Sequence, residues 1–276
     1  MLLSRDDIHL SFDEAAGRRA PIVLVHGWCC DHEFFTPQVA YFANLGHHVV
    51  AVDLRGHGRS DKPVQAYTMP GFADDIAWLC GELKLPGAIV VGHSMGGIVA
   101  FDLAVRYPQL VAAVAMIDAA IVVPETARPG IAGMIESLRG PSYRTALTDY
   151  VSKALILPTD DQSRSHWILD RMSGTPQYVM VSAFEGLRDY DPDIGGRRLG
   201  VPALYIAADE AVARTDMSRM QELVPNLAHG RTVGSGHFCQ LEVPDQVNAM
   251  LSRFIDMARP DGRGPGNEHR NAHRSA

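Results

Sequence analysis

The stretch Ala88-Ile89-Val90-Val91-Gly92-His93-Ser94-Met95-Gly96-Gly97 narrows the choice of folds more than any other in the chain. A β-branched apolar run ends on a glycine, a serine stands between small residues, and a helix-compatible run from Gly97 to Tyr107 follows. This order of strand, sharp turn and helix is the context that a G-x-S-x-G motif requires. A serine at such a bend carries a strained backbone, and a Cβ at Gly92 or Gly96 would collide with its neighbours. The turn lifts the Ser94 hydroxyl clear of a sheet, beside the Met95 N–H and the positive end of the helix. The motif alone is short enough to recur by chance, so the flanking segments carry the argument.

Those segments have a regular rhythm. Ile8-His9-Leu10-Ser11-Phe12 alternates as an edge strand does, and Asp13 to Arg19 reads as a turn. Pro21 to Val25 and His48 to Val52 are short apolar strands, with a helix from Phe34 to Leu45 between them. Phe72, Ile76, Leu79 and Leu83 recur at helical spacing before the strand that leads to Ser94, and Val111 to Ile117 is a further strand ending at Asp118. Strands separated by helices argue for a parallel sheet covered on both faces. From Ile121 to Arg198 the rhythm changes to short helical segments punctuated by prolines, with no convincing strand. The sheet resumes at Val201 to Ala207 and Gly230 to Val233, with helices over Asp216 to Leu223 and Val243 to Met257. Pro244 suits the first turn of the last helix, where a missing N–H is harmless. This divides the chain into a core of residues 1–120 and 199–258, a helical insertion of 121–198, and a polar tail of 259–276 expected to be disordered.

Composition excludes several functions. The 276 residues can bury a large core, and a net charge of −7 offers no basic field for nucleic acid or anionic lipid. The four cysteines lack C-x-x-C spacing and read as small buried apolar side chains. The first nine residues are broken by Arg5, Asp6 and Asp7, unlike a signal peptide, and no apolar run is long enough to span a membrane, so a cytoplasmic location is expected. There is no G-x-x-x-x-G-K-[ST] loop, and Gly56-His57-Gly58 lacks the third glycine of a dinucleotide fingerprint. His26, Asp31 and His32 do not form the H-x-H-x-D-H cluster of zinc lactonases. No cofactor and no metal are expected, the partner is a small molecule, and a homodimer is compatible with all of this.

Four places carry a resemblance to the α/β-hydrolase superfamily over residues 20 to 258. They are Leu24-Val25-His26-Gly27-Trp28, Asp53-Leu54-Arg55-Gly56-His57-Gly58-Arg59-Ser60, Gly92-His93-Ser94-Met95-Gly96-Gly97 and Gly236-His237-Phe238. The resemblance implies an α/β fold with a mostly parallel eight-stranded sheet, helices on both faces, and a helical lid after the sixth strand. It also implies catalysis by a serine that needs a base, because a free hydroxyl is almost wholly protonated at neutral pH. His237 suits that role, standing C-terminal to serine and acid in the chain order of this fold. Similar enzymes hold the oxyanion on two backbone N–H groups, here those of Trp28 and Met95.

The acid departs from the commonest pattern. Aligning Leu204-Tyr205-Ile206-Ala207-Ala208 on the seventh strand places Ala211 where the family usually has its carboxylate, with Asp209 and Glu210 just short of it. Some relatives, haloalkane dehalogenases among them, use a carboxylate directly after the sixth strand, which is Asp118 here. Asp118 is preferred, with Asp209 and then Glu210 as alternatives.

A serine rather than an aspartate at the turn argues against dehalogenase and epoxide hydrolase chemistry. The expected activity is therefore hydrolysis of a carboxylic ester or lactone, an acyl-homoserine lactone among the candidates, through an acyl-serine. Met134, Leu138, Met172 and Met180 would contribute to an apolar lid, and Phe34, Phe35, Trp167, Tyr178 and Phe184 to the acyl pocket. Cofactor-free haloperoxidases, which are perhydrolases, resemble the chain strongly over His26 to Ser60, and carbon–carbon bond hydrolases share the architecture. A non-catalytic ligand receptor on the same fold is the alternative of another class.

Overall fold

Short runs of Val, Ile and Leu too apolar to face water on either side require a sheet covered twice. The computed structural model describes residues 1–5 and 7–258; the tail expected over 259–276 lies outside the described residues. Strands β1 (Leu2–Arg5), β2 (Ile8–Ala15), β3 (Arg19–Val25), β4 (His47–Val52), β5 (Ala88–His93), β6 (Val111–Ile117), β7 (Ala203–Ala207) and β8 (Ala228–Arg231) form one eight-stranded sheet. Its order is β1-β2-β4-β3-β5-β6-β7-β8, antiparallel where β2 meets β1 and β4 and parallel from β4 to β8.

Period-two alternation divides the core into two layers. Val23, Val25, Val50, Val52 and Val90 face one apolar cluster, while Ile22, Leu24, Val49, Ala51, Ile89 and Val91 face the other. Helix α1 (Thr36–Asn44) places Phe42 in the second layer, whereas α2 (Met69–Glu82) and α3 (Met95–Arg106) pack on the first. Helices α4 (Arg128–Arg139), α5 (Tyr143–Tyr150), α6 (Gln162–Ser173) and α7 (Gln177–Arg188) follow β6, with a π turn at Val151–Leu155. They bury Ile135, Leu138, Leu147, Ile168, Met172, Val179 and Met180 in the first layer. Each such side chain stabilises the packing by about 1.5–3 kcal/mol. Helices α8 (Met217–Leu223), α9 (Cys239–Glu242) and α10 (Pro244–Ala258) complete the fold, α10 covering the second layer through Val247, Leu251 and Phe254.

Several boundaries differ from the sequence expectation. Strand β1 is too short to register as alternation and exists because Leu2 to Arg5 pairs with Ser11 to Ile8. β2 runs on to Ala15, into the expected turn, since Phe12 to Ala15 pairs with Val52 to Val49. The helix expected from Phe34 is preceded by a 3₁₀ turn over His32–Phe35, whose cap is the Asp31 carboxylate accepting the Glu33 N–H. The last strand lies two residues earlier than Gly230 to Val233, because parallel pairing sets Leu204 against Ala228 and Ala207 against Arg231.

Candidate active site

Parallel strands deliver their C-terminal ends to one rim of a sheet, and three of those ends carry backbone strain. Among the described residues the non-glycine positions at positive φ are Cys29, Lys84, Ser94 and Asp118. All but Lys84 follow a sheet strand that ends beside the cavity described below, where over-determined strain holds side chains in fixed directions. Ser94, at φ 54° and ψ −121°, joins β5 to α3, and its N–H donates to the Ile117 carbonyl at the end of β6 (2.8 Å). Small neighbours make the bend feasible. A Cβ on Gly92 would overlap the Gly96 carbonyl, and one on Gly96 would overlap that of Val25.

Asp118 follows β6, and its Oδ2 lies 2.6 Å from His237 Nδ1. The same carboxylate accepts the Ala208 N–H on Oδ1 (3.1 Å) and Arg214 Nε on Oδ2 (3.3 Å). Burial pushes the Asp118 carboxyl up, but the His237 hydrogen bond and the charges of His237 and Arg214 outweigh it and hold the acid below its ordinary value. His237 is lowered from its ordinary value by burial and then by Arg214, against the opposing pull of Asp118. A neutral imidazole whose Nδ1–H meets a carboxylate keeps an Nε2 lone pair and can accept a proton from a hydroxyl brought to it. Asp209 is elsewhere: it faces solvent, pairs with Arg231 (2.7 Å) and accepts the Gly234 N–H (2.9 Å). Glu210 is bound by Arg214.

Two further histidines hold backbone in place. His93 donates Nε2–H to the His237 carbonyl (2.8 Å), and burial followed by the neighbouring His237 lowers it to about 3. It therefore stays neutral and anchors the loop bearing His237. His26 Nδ1 meets the Gly27 carbonyl (2.8 Å) and its Nε2 accepts the Leu54 N–H (3.0 Å), tying the end of β3 to that of β4. The next turn closes through Cys30 N–H to the Gly27 carbonyl (3.2 Å) around Trp28 and left-handed Cys29. Met95 opens α3, so its N–H is among the first four of the helix, which have no intrahelical acceptor.

A cavity of about 270 Å³ joins these parts, with Gly27, Trp28, Ser94, Asp118 and His237 on its sheet side. Ile131, Tyr150, Leu155, Met172 and Phe184 close it from α4, α5, the π turn, α6 and α7. Trp28 packs at a tilt against Phe184 with ring centroids 4.8 Å apart and donates Nε1–H to the Met180 carbonyl (2.9 Å). Of the aromatic residues expected in the acyl pocket, Phe184 lines this cavity, whereas Phe34, Phe35, Trp167 and Tyr178 do not. Phe34 packs against the lining residue Phe238 at 5.9 Å, and Trp167 packs at a tilt against Phe34 at 4.7 Å. Phe35 is buried in the other layer of the core, and Tyr178 is exposed with its hydroxyl on the Lys62 carbonyl. Adjacent residues on a turn point to opposite layers, which residue type alone does not reveal.

Residues that sequence reasoning passed over include Arg214 and Tyr150, neither of which belongs to a motif. Among the described residues, one group could hold a metal: Asp31, His32 and Asp53 have ligand atoms within 4.8 Å of one another. They are already engaged, His32 Nδ1 with Asp53 (2.7 Å), His32 Nε2 with Asp13 (3.1 Å) and Asp31 with Arg171 (2.8 Å). No helix among the described residues is long and apolar enough to cross a membrane.

The chain belongs to the α/β-hydrolase fold family, whose model matches residues 20–244. It is 30% identical over 264 residues to a non-heme chloroperoxidase of Streptomyces lividans, covering 85% of this chain and 91% of that one. Its fold is similar to that of a thermophilic esterase from Thermogutta terrifontis, at TM-score 0.80 and 23% identity over 91% of this chain and 94% of that one. An enol-lactonase from Burkholderia xenovorans LB400 is equally similar, at TM-score 0.80 and 23% identity over 92% and 99% of the two chains.

Proposed function

We propose that the protein is a serine hydrolase that opens a carboxylic ester or lactone of compact acyl group through an acyl-serine intermediate. The observation that carries this reading is the convergence of Ser94 and a His237–Asp118 pair on one mostly apolar cavity. Ser94 Oγ attacks the carbonyl carbon while His237 Nε2 takes its proton, and Asp118 steadies the imidazolium. The backbone N–H groups of Trp28 and Met95 face the oxyanion, each contributing about 3 kcal/mol to its stabilisation. His237 returns the proton to the leaving alkoxide, then takes one from a water that attacks the acyl carbon and passes it to Ser94 Oγ as the acyl–oxygen bond breaks. In a lactone the leaving alkoxide remains attached, so the product is a single hydroxy acid.

The helices between β6 and β7 act as the lid, and the compact cavity they close favours short acyl chains: about 270 Å³ lies below the usual range of roughly 300–1,000 Å³ for ligand pockets. The test is a panel of p-nitrophenyl acetate to decanoate, short- and long-chain acyl-homoserine lactones, and a peroxide-dependent halogenation assay, each run with wild type and Ser94→Ala. Turnover of short esters or lactones that disappears in Ser94→Ala is the expected result. Halogenation with weak hydrolysis would favour the perhydrolase reading, for which the likeness to the Streptomyces lividans enzyme is the support. Binding of ligands without turnover would mark a receptor and contradict the proposal.

A further inference from the structure

Arg214 lies outside every motif yet touches three parts of the site at once. Its side chain is buried to 18% exposure, with Nε on Asp118 Oδ2 (3.3 Å), the same oxygen that meets His237 Nδ1. Its Nη2 donates to both Glu210 oxygens (2.8 and 2.7 Å) and to the Ala154 carbonyl in the π turn (2.7 Å). A guanidinium has a fixed planar fork, so these contacts fix both the plane of the Asp118 carboxylate and the height of the helices above it.

We propose that Arg214 is a positioning residue that clamps Asp118 in the orientation meeting His237 and that, together with Glu210, it tunes the charge felt by the imidazole. This rests on the reading of Ser94, His237 and Asp118 given above. The titratable and charged groups around His237 are Asp118 after β6, His93 at the end of β5, and Glu210 and Arg214 after β7, while Glu242 of α9 accepts the N–H of the preceding residue, Gly236 (2.7 Å). Tyr150, Tyr205 and Cys239 lie around the acid and the guanidinium and are kept neutral by burial. Arg214 is the one full positive charge in that set at neutral pH, and after burial it does most to weaken proton binding by His237, whereas Asp118 and Glu210 strengthen it. A base that must be unprotonated to act thus works to lower pH because Arg214 is present. Glu210 spends part of that charge, so the two residues oppose each other.

The experiment measures kcat/KM for p-nitrophenyl butyrate against pH in wild type, Arg214→Gln, Arg214→Lys and Glu210→Gln, with Ser94→Ala and Asp118→Asn as controls. The pH dependence of Ser94 labelling by a fluorophosphonate serves as a readout independent of substrate. Arg214→Gln is expected to lower kcat and move the acid limb to higher pH by about one unit. Arg214→Lys should restore the limb but only part of kcat, having the charge without the fork, and Glu210→Gln should move the limb to lower pH. A merely structural role would reduce activity without moving the limb in opposite directions, and that result overturns the proposal. Should Arg214→Gln fail to fold, Glu210→Gln decides alone: a limb that stays, rises or vanishes with a loss of about 10⁴ in kcat contradicts it. Turnover that survives in Ser94→Ala or Asp118→Asn would instead remove the underlying reading, so the two failures are distinguishable.

Discussion

Two histidine–aspartate pairs are buried at the same rim of the sheet, and they hold their protons in opposite ways. His32 Nδ1 lies 2.7 Å from Asp53 and His237 Nδ1 lies 2.6 Å from Asp118, and all four side chains are nearly inaccessible. Burial lowers the proton affinity of both rings. For His32 it is outweighed by Asp53 and by Asp13, whose Oδ2 meets the second ring nitrogen (3.1 Å), so His32 is raised above its ordinary value. The Arg59 guanidinium beside His32 Nε2 (3.0 Å) pulls downward without outweighing the two carboxylates, whereas at His237 burial and Arg214 outweigh Asp118 and leave the ring lowered. Its ring also lines the cavity, whereas the nitrogens of His32 are engaged by protein. The same two residue types therefore bind a proton more tightly in one place and less tightly in the other, and the balance of burial against the neighbouring charges decides which.

The largest contrast is expected from removing each aspartate. Asp118→Asn should lower kcat about 10⁴-fold with modest loss of stability, measured with p-nitrophenyl butyrate. Asp53→Ala should do the reverse. Its carboxylate accepts His32 N (2.9 Å), His32 Nδ1 and Arg59 N (2.9 Å), so its loss should cost about 3–5 kcal/mol in urea unfolding while the folded fraction retains most of its turnover. Equal loss of kcat in both variants would erase the distinction.

Next comes pH. His32 binds its proton more tightly folded than unfolded, so its contribution to stability is full below the unfolded value near 6.5 and is lost as pH rises through the raised folded value. His237 has the opposite sign: its contribution is present above about 6.5 and is lost as pH falls toward the lowered folded value. The stability gap between wild type and His32→Gln should accordingly shrink as pH rises, followed by denaturant unfolding across pH 5 to 8. A gap that grows with pH would contradict the assignment of charge.

A smaller effect separates the cavity wall from the layer behind it. Phe184→Ala opens space against Trp28 and should shift selectivity toward longer esters by about 1–3 kcal/mol. Phe34→Ala should instead cost about 3–5 kcal/mol of stability with little change in chain-length preference. The smallest effect is expected from Asp209→Asn, which alters a solvent-facing pair with Arg231 and should leave kcat/KM unchanged.

Some of this was legible in the sequence and some was not, for identifiable reasons. Elements with a strong period were legible: Val111 to Ile117 is a strand from end to end, and the bend at Ser94 follows from small residues at Gly92 and Gly96. The nearness of Asp118 to His237 follows from parallel order, because β6, β7 and β8 lie side by side in that order and their C-terminal ends share a rim. Strand β1 was invisible because four residues pair through backbone with no pattern of their own. The cavity wall was invisible for a different reason. Whether Phe34, Phe35 or Phe184 faces a ligand depends on how helices far apart in sequence pack, and apolar side chains look alike until they do. Arg214 was hidden because its partners, Asp118 and Ala154, are remote in the chain and no spacing connects them.

The central claim is that a covalent acyl group forms on Ser94. Intact-protein and peptide mass spectrometry on samples quenched with acid during p-nitrophenyl butyrate turnover tests it most directly. The account predicts a butyryl mass increment on the peptide containing Ser94, absent from Ser94→Ala and slow to form in Asp118→Asn. Turnover with no adduct, or an adduct on another residue, would contradict it.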